Sequence, residues 1–136
     1  MVELHVDALT ENLGQVLEFV EAKLEELDCS MKVQTQIDIA VEEIYVNIAH
    51  YAYQSEPGQV TISIETEEIS DLVVIHFIDN GIPFNPLEKK DPDVTLSAEE
   101  RNIGGLGIYM VKKSMDEVSY EYKDGQNIFT IKKKIK

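Results

Sequence analysis

The sequence predicts an α+β two-layer sandwich: a mixed, mostly antiparallel sheet with helices packed on one face. Two observations carry this. Apolar residues recur at helical spacing in three segments and alternate with polar residues in the others. Alternating segments also follow one another through hairpin-length connections, which join antiparallel neighbours.

Residues 2–6 alternate as a strand does. Thr10 is placed to cap a helix over about 11–27, with Leu13, Val16, Leu17, Val20 and Leu24 along one face. Asp28-Cys29-Ser30 breaks it, and Ser30 is placed to cap a second helix reaching about Tyr53. Gln54 to Gly58 reads as a turn. Strands are expected at Val60–Glu65 and Leu72–Asp79, the second the more buried. Residues 80–103 hold Pro83, Pro86 and Pro92 and many charges, and so long a structureless loop inside a domain tends to be functional. A third helix follows to about Ser114, with Ile108, Val111 and Met115 facing the core. Strands at about 117–122 and 128–135, turning at Asp124-Gly125, close the sheet. No repeat or linker interrupts this order, so residues 1–136 are read as one domain.

Composition limits the functions on offer. At 43% hydrophobic and 28% charged, the chain has enough apolar material for a core and is not a disordered type. No run approaches the ~20 apolar residues of a membrane span. The N-terminus lacks the pattern of a signal peptide. Cys29 is the single cysteine, so no internal disulfide forms, and a reducing cytoplasm fits. A net charge of −14 argues against nucleic acid and against an anionic membrane surface. It suits a partner with a basic face, and it requires any anionic ligand to come with a cation or be held by backbone N–H groups.

Three elements carry chemistry. In the second helix, Glu43 and Asn47 stand four residues apart and share one face. A carboxylate and an amide oxygen one turn apart are hard ligands of the kind Mg²⁺ takes alongside water and phosphate, and the Glu is equally placed to deprotonate a nucleophile. Alone, the pair is also what a solvated helix face offers. Asp79-Asn80-Gly81 ends the buried strand. An acid there can accept a hydrogen bond from an exocyclic amine, with Gly81 allowing close approach of a flat ring; a plain Asx turn is the competing explanation. Gly104-Gly105-Leu106-Gly107 opens the third helix, where free N–H groups can hold phosphates, although no Gly-Lys-Ser/Thr of a P-loop follows and a flexible hinge would look the same. His5, His50 and His76 have no metal-like or triad-like neighbours in sequence and are read as structural or surface residues. Cys29 reads as a small helix-flanking residue, and Tyr51, Tyr53, Tyr109, Tyr120 and Tyr122 as packing.

Taken in order, the three elements resemble the Bergerat-fold (GHKL) ATPases over essentially the whole chain, and within them the small bacterial anti-sigma factors that are also serine/threonine-protein kinases. Residues 40–53 look like the N box, Ile78 to Phe84 like the first glycine box, and Gly104 to Ile108 like the second. The resemblance implies ATP and Mg²⁺ as cofactors, with Glu43 as catalytic base, Asn47 as Mg²⁺ ligand, and Asp79 reading the adenine amine over Gly81. It makes residues 85–103 a lid over the phosphates, with Gly104, Gly105, Leu106 and Gly107 at the phosphate site. Arg101, the last cation before the glycines, is assigned to the γ-phosphate by position, with a solvated arginine as the alternative. Pro83 stands where many members have a second glycine, a form familiar in the anti-sigma branch. Where many members have a threonine beneath the adenine, this chain has Asn127, with Thr130 further on.

The implied function is a cytoplasmic protein kinase that phosphorylates an anti-anti-sigma antagonist and sequesters a sigma factor, with a homodimer sharing the first strand and helix. The alternative is a nucleotide-gated binding module without useful turnover. Glu43, which a pure binder need not keep, favours the enzyme. A detached histidine-kinase catalytic domain is the third and weakest reading, since no phospho-acceptor helix precedes the domain in this sequence.

Overall fold

The computed structural model describes residues 1–53, 58–67, 69, 71–88 and 103–135, and describes the backbone alone at 88 and 103–106. Five strands, β1 (Val2–Asp7), β2 (Gln59–Glu67), β3 (Leu72–Asp79), β4 (Glu117–Lys123) and β5 (Gln126–Lys134), form one sheet in the order β1-β2-β3-β5-β4. All four pairings are antiparallel. The helices are α1 (Leu13–Glu26), α2 (Met31–Tyr51) and α3 (Ile103–Ser114).

The alternation of apolar residues fixes which sheet face is covered. Val60, Ile62 and Ile64 of β2, and Val73, Ile75 and Phe77 of β3, are buried in one core with Val16 and Val20 of α1 and Ile37, Val41 and Ile44 of α2. Because side chains alternate at period two, Asp79 and Asn127 share the parity of Phe77 and Phe129, and so reach the helix-covered face at the end of the sheet. Burying a Val or Ile side chain contributes roughly 1.5–3 kcal/mol, so this parity is strongly enforced.

Helix α2 begins as its sequence predicts: Ser30 is extended and its hydroxyl accepts from the Val33 N–H at 3.2 Å. It ends at Tyr51, two residues short of the expected limit, where the Tyr53 hydroxyl donates to the Gln59 carbonyl (2.7 Å) and accepts from the Asn80 N–H (2.9 Å). The expectation for α1 is corrected. Thr10 does not cap it; Thr10–Asn12 form a 3₁₀ turn and α1 starts at Leu13. The reason lies in tertiary contacts. The fully buried Tyr45 donates to the carbonyls of Leu9 (2.6 Å) and Asp7 (3.0 Å), and the Asn12 amide also donates to the Asp7 carbonyl (2.9 Å). These bonds tie the β1–α1 connection to α2 and override the local capping preference. The final hairpin turns through Asp124 (φ 54°) and Gly125 (φ 78°), two consecutive left-handed residues as a type I′ turn requires.

Of the long segment expected at 80–103, residues 81–88 include a 3₁₀ turn at Pro86–Glu88, and 89–102 lie outside the described residues. No helix among the described residues is long and apolar enough to cross a membrane.

Candidate functional site

A cleft opens between α2, α3 and the β3–β5 end of the sheet. Its walls are mostly apolar, including Ile48, Ile82, Phe84, Ile108 and Phe129, and the polar groups entering it are Asn47, Asp79, Tyr120 and Asn127. A largely apolar cleft with a few convergent polar groups is the usual form of a small-molecule site.

Asp79 arrives at the end of β3 and is 4% exposed. Its Oδ1 accepts from the Gly81 N–H (2.9 Å) and from Asn127 Nδ2 (2.9 Å). Burial pushes the Asp79 carboxyl above its ordinary range, and the bonds from Asn127 and Gly81 offset that only in part. Gly81 closes the Asx turn against the end of α2, where the Ile82 N–H donates to the Ala52 carbonyl at 2.9 Å. A Cβ at Gly81 would overlap the Ala52 backbone, so glycine is required by the protein's own packing.

Asn127 is the polar hub of the cleft. Besides Asp79, its amide donates to the carbonyls of Ile82 (2.8 Å) and Gly81 (3.4 Å). Its Oδ1 accepts from the Phe84 N–H (3.2 Å) and from the Tyr120 hydroxyl. Thr130 sits elsewhere. Three residues along β5, it faces the opposite side of the sheet, where His76 Nδ1 meets its hydroxyl at 2.8 Å and His76 Nε2 lies 3.2 Å from Glu65 Oε1. The position in the cleft therefore belongs to Asn127.

Asn47 lines the cleft from α2, one turn beyond Glu43. Glu43 is half-buried and lies between α2 and α3, where a Cβ on Gly107 would overlap its Oε2. Gly104, Gly105, Leu106 and Gly107 all fall within α3, which begins at Ile103, so the glycine run forms a helix start as the sequence predicts. Arg101 and residues 89–102 of the expected lid lie outside the described residues. The structure thus brings Asn47, Asp79 and Asn127 around one cleft, with Glu43 and Gly107 touching beside it.

The donors suit a nucleotide with Mg²⁺. Asn47 and Glu43, an amide and a carboxylate one turn apart on α2, are a hard-oxygen pair that would leave most of a six-coordinate Mg²⁺ shell to phosphate and water. Among the described residues no group of three His, Cys, Asp or Glu side chains forms a self-sufficient metal cage.

Comparisons with known proteins bear on the family and the fold. A family model described as the histidine kinase-like ATPase domain matches residues 6–133. The chain is 30% identical over 98 residues to the serine-protein kinase RsbW of Bacillus mycoides, covering 69% of this chain and 60% of that protein. It is 30% identical over 129 residues to the anti-sigma F factor of Clostridium perfringens, covering 94% of this chain and 91% of that one. The chain thus spans about three fifths of the length of the RsbW kinases it matches and nearly all of the anti-sigma F factor. Among solved structures, the RsbU and RsbW domains of a Mycobacterium tuberculosis protein superpose with a TM-score of 0.69 at 16% identity, over 99% of this chain and 33% of that one, a likeness of fold.

Proposed function

This chain belongs to the family of histidine kinase-like ATPase domains, and on that premise we propose that it is an anti-sigma factor with ATP- and Mg²⁺-dependent serine/threonine kinase activity. Its substrate is an anti-anti-sigma antagonist protein, and its second partner is a sigma factor held inactive. The observation that supports this best is the cleft itself: an acceptor carboxylate at its sheet end, an amide oxygen on α2, and a glycine-bearing helix start beside a half-buried glutamate.

In this reading the adenine lies between the apolar walls, with its amine donating to Asp79. Asn47 would hold Mg²⁺, which would supply neutralisation of the phosphate charge. Backbone N–H groups of the α3 start, over Gly104, Gly105, Leu106 and Gly107, hold phosphate oxygens without a basic patch. This is how a chain of net charge −14 accommodates an anionic ligand. Arg101, by its place just before the glycines in the sequence, is assigned to the γ-phosphate. Glu43 accepts the proton of the substrate hydroxyl as the new P–O bond forms and ADP leaves. Positioning and electrostatics supply most of the acceleration in such transfers, and these residues supply both. The protein works in the cytoplasm, and β1, an edge strand of the sheet, is the element a homodimer would share.

The test is Glu43→Gln, assayed with ATP-Mg²⁺ and the antagonist. Nucleotide affinity should stay within a few fold while transfer is abolished. Retained transfer would remove Glu43 from the base role. ATP binding by the unsubstituted chain with no transfer to any antagonist would leave a nucleotide-gated binding module.

A further inference from the structure

The five hydrogen bonds of Asn127 define one orientation of its amide. The Phe84 N–H is a donor and nothing else, and it points at Oδ1 (3.2 Å). The same N–H also approaches the Tyr120 oxygen (3.3 Å), so the Tyr120 hydroxyl accepts there and its own proton goes to Asn127 Oδ1. With two donors on Oδ1, the NH₂ group must face the other way, where it meets only acceptors: Asp79 Oδ1 and the carbonyls of Gly81 and Ile82. Asp79 Oδ1 is then filled by two donors, Asn127 Nδ2 and the Gly81 N–H. Among the described residues no donor reaches Asp79 Oδ2. The cleft therefore presents this carboxylate as a fixed acceptor with one oxygen left for a ligand donor.

We propose that Asn127 and Tyr120 are positioning residues that set base selectivity, locking Asp79 as an acceptor so that the cleft takes a purine bearing a 6-amino donor and rejects one bearing a 6-oxo acceptor. The proposal rests on the reading of the cleft as a nucleotide site. Its chemistry is directional. A 6-amino purine completes the acceptor, a 6-oxo purine sets oxygen against oxygen, and an unsubstituted purine leaves a buried carboxylate oxygen without its donor. Without the Tyr120 hydroxyl, Asn127 Oδ1 keeps only the Phe84 N–H, so the amide, and through it the Asp79 carboxylate, is held less firmly in the acceptor position.

The experiment is calorimetric titration of the full chain with the Mg²⁺ complexes of ATP, GTP and purine-riboside triphosphate, which lacks the amine. Unsubstituted protein should prefer ATP to both analogues by about tenfold or more, the worth of one hydrogen bond to a charged group. Tyr120→Phe should stay folded and reduce that preference at least threefold, mainly by weakening ATP. Asn127→Leu should bring it close to parity. Preferences unchanged in a folded Tyr120→Phe would overturn the proposal and leave the network as a staple between β5 and the 81–84 turn. Equal affinity of unsubstituted protein for ATP and the unsubstituted purine would also overturn it, because Asp79 would then not be read. Failure of all three nucleotides to bind the unsubstituted protein would instead overturn the nucleotide reading, and this proposal with it.

Discussion

The carboxylate of Glu43 rests against the bare Cα of Gly107, so close that a Cβ there would overlap Oε2. The contact joins the proposed base on α2 to the glycine run of α3 without any intervening side chain. It also makes Gly107→Ala a test that separates stability from function. Alanine is the better helix former by about 1 kcal/mol. The obstructing atoms belong to the far end of a flexible side chain, so Glu43 can swing aside. The melting temperature should change by less than about 4 °C, while phosphoryl transfer should fall by about tenfold or more through misplacement of the carboxylate. Calorimetry and a transfer assay on the same preparation check both.

Gly81→Ala should behave in the opposite way. Its Cβ would overlap backbone atoms of Ala52, which cannot rotate out of the way. Overpacking of this kind costs about 1–3 kcal/mol, a fall in melting temperature on the order of 5–10 °C. Thermal unfolding with and without nucleotide would measure it. An undiminished melting temperature would mean that the turn and α2 separate more easily than their hydrogen bond implies.

Asp79→Asn should lose function and keep stability. Burial holds the Asp79 carboxyl above its ordinary range, so its ionised form is penalised in the folded state. That penalty is fully present above the folded pKa and disappears as pH falls to the unfolded value. An asparagine oxygen can still accept from Gly81 and Asn127, and it carries no charge to desolvate. The melting temperature at pH 7 should be equal or higher, and ATP affinity lower by about tenfold or more. By the same sign, ATP affinity of the unsubstituted chain should decline with acidification from a pH above that expected of an ordinary aspartate.

Asp38 offers a second pH effect, remote from the cleft. Burial first, and the neighbouring Glu21 carboxyl second, push Asp38 up to about 6. Its Oδ1 is buried with no hydrogen-bond partner among the described residues. The folded chain therefore takes up a proton here as pH falls from about 6 toward 3.8, and the destabilising effect of ionised Asp38 is greatest above that window. Asp38→Asn should raise the melting temperature by a few degrees at pH 7 and make no difference below about pH 4. Scans across that range test it; an increment independent of pH would point to packing as the cause.

Much of this was legible in the sequence because periodicity is local. The Leu72–Asp79 strand, the Ser30 cap and the α3 limit at Ser114 follow from spacing and from residue types that act within one turn. Thr10 was misleading because its competitor, the Tyr45 hydroxyl bonded to the Leu9 carbonyl, lies 36 residues away. The hub at Asn127 was hidden for the same reason: its partners Asp79 and Phe84 are 48 and 43 residues distant, and only pairing of β3 with β5 makes them neighbours. Choosing between Asn127 and Thr130 required knowing which sheet face each occupies. Tyr53 and Tyr120, read as packing, each also commit a hydroxyl to fixing the loops around the cleft.

The strand order β1-β2-β3-β5-β4 has a consequence for synthesis of the protein. β5 follows β4 in the chain yet lies between β4 and β3, so a nascent chain that has emerged from the ribosome only as far as β4 has no partner for either strand's inner edge. Asn127 belongs to that late strand, so Asp79 cannot be set until β5 inserts. On the proposed reading of the cleft, the chain is thus blind to nucleotide during translation until almost all of the described sheet is out. Competence to bind comes as a single late event instead of growing with chain length.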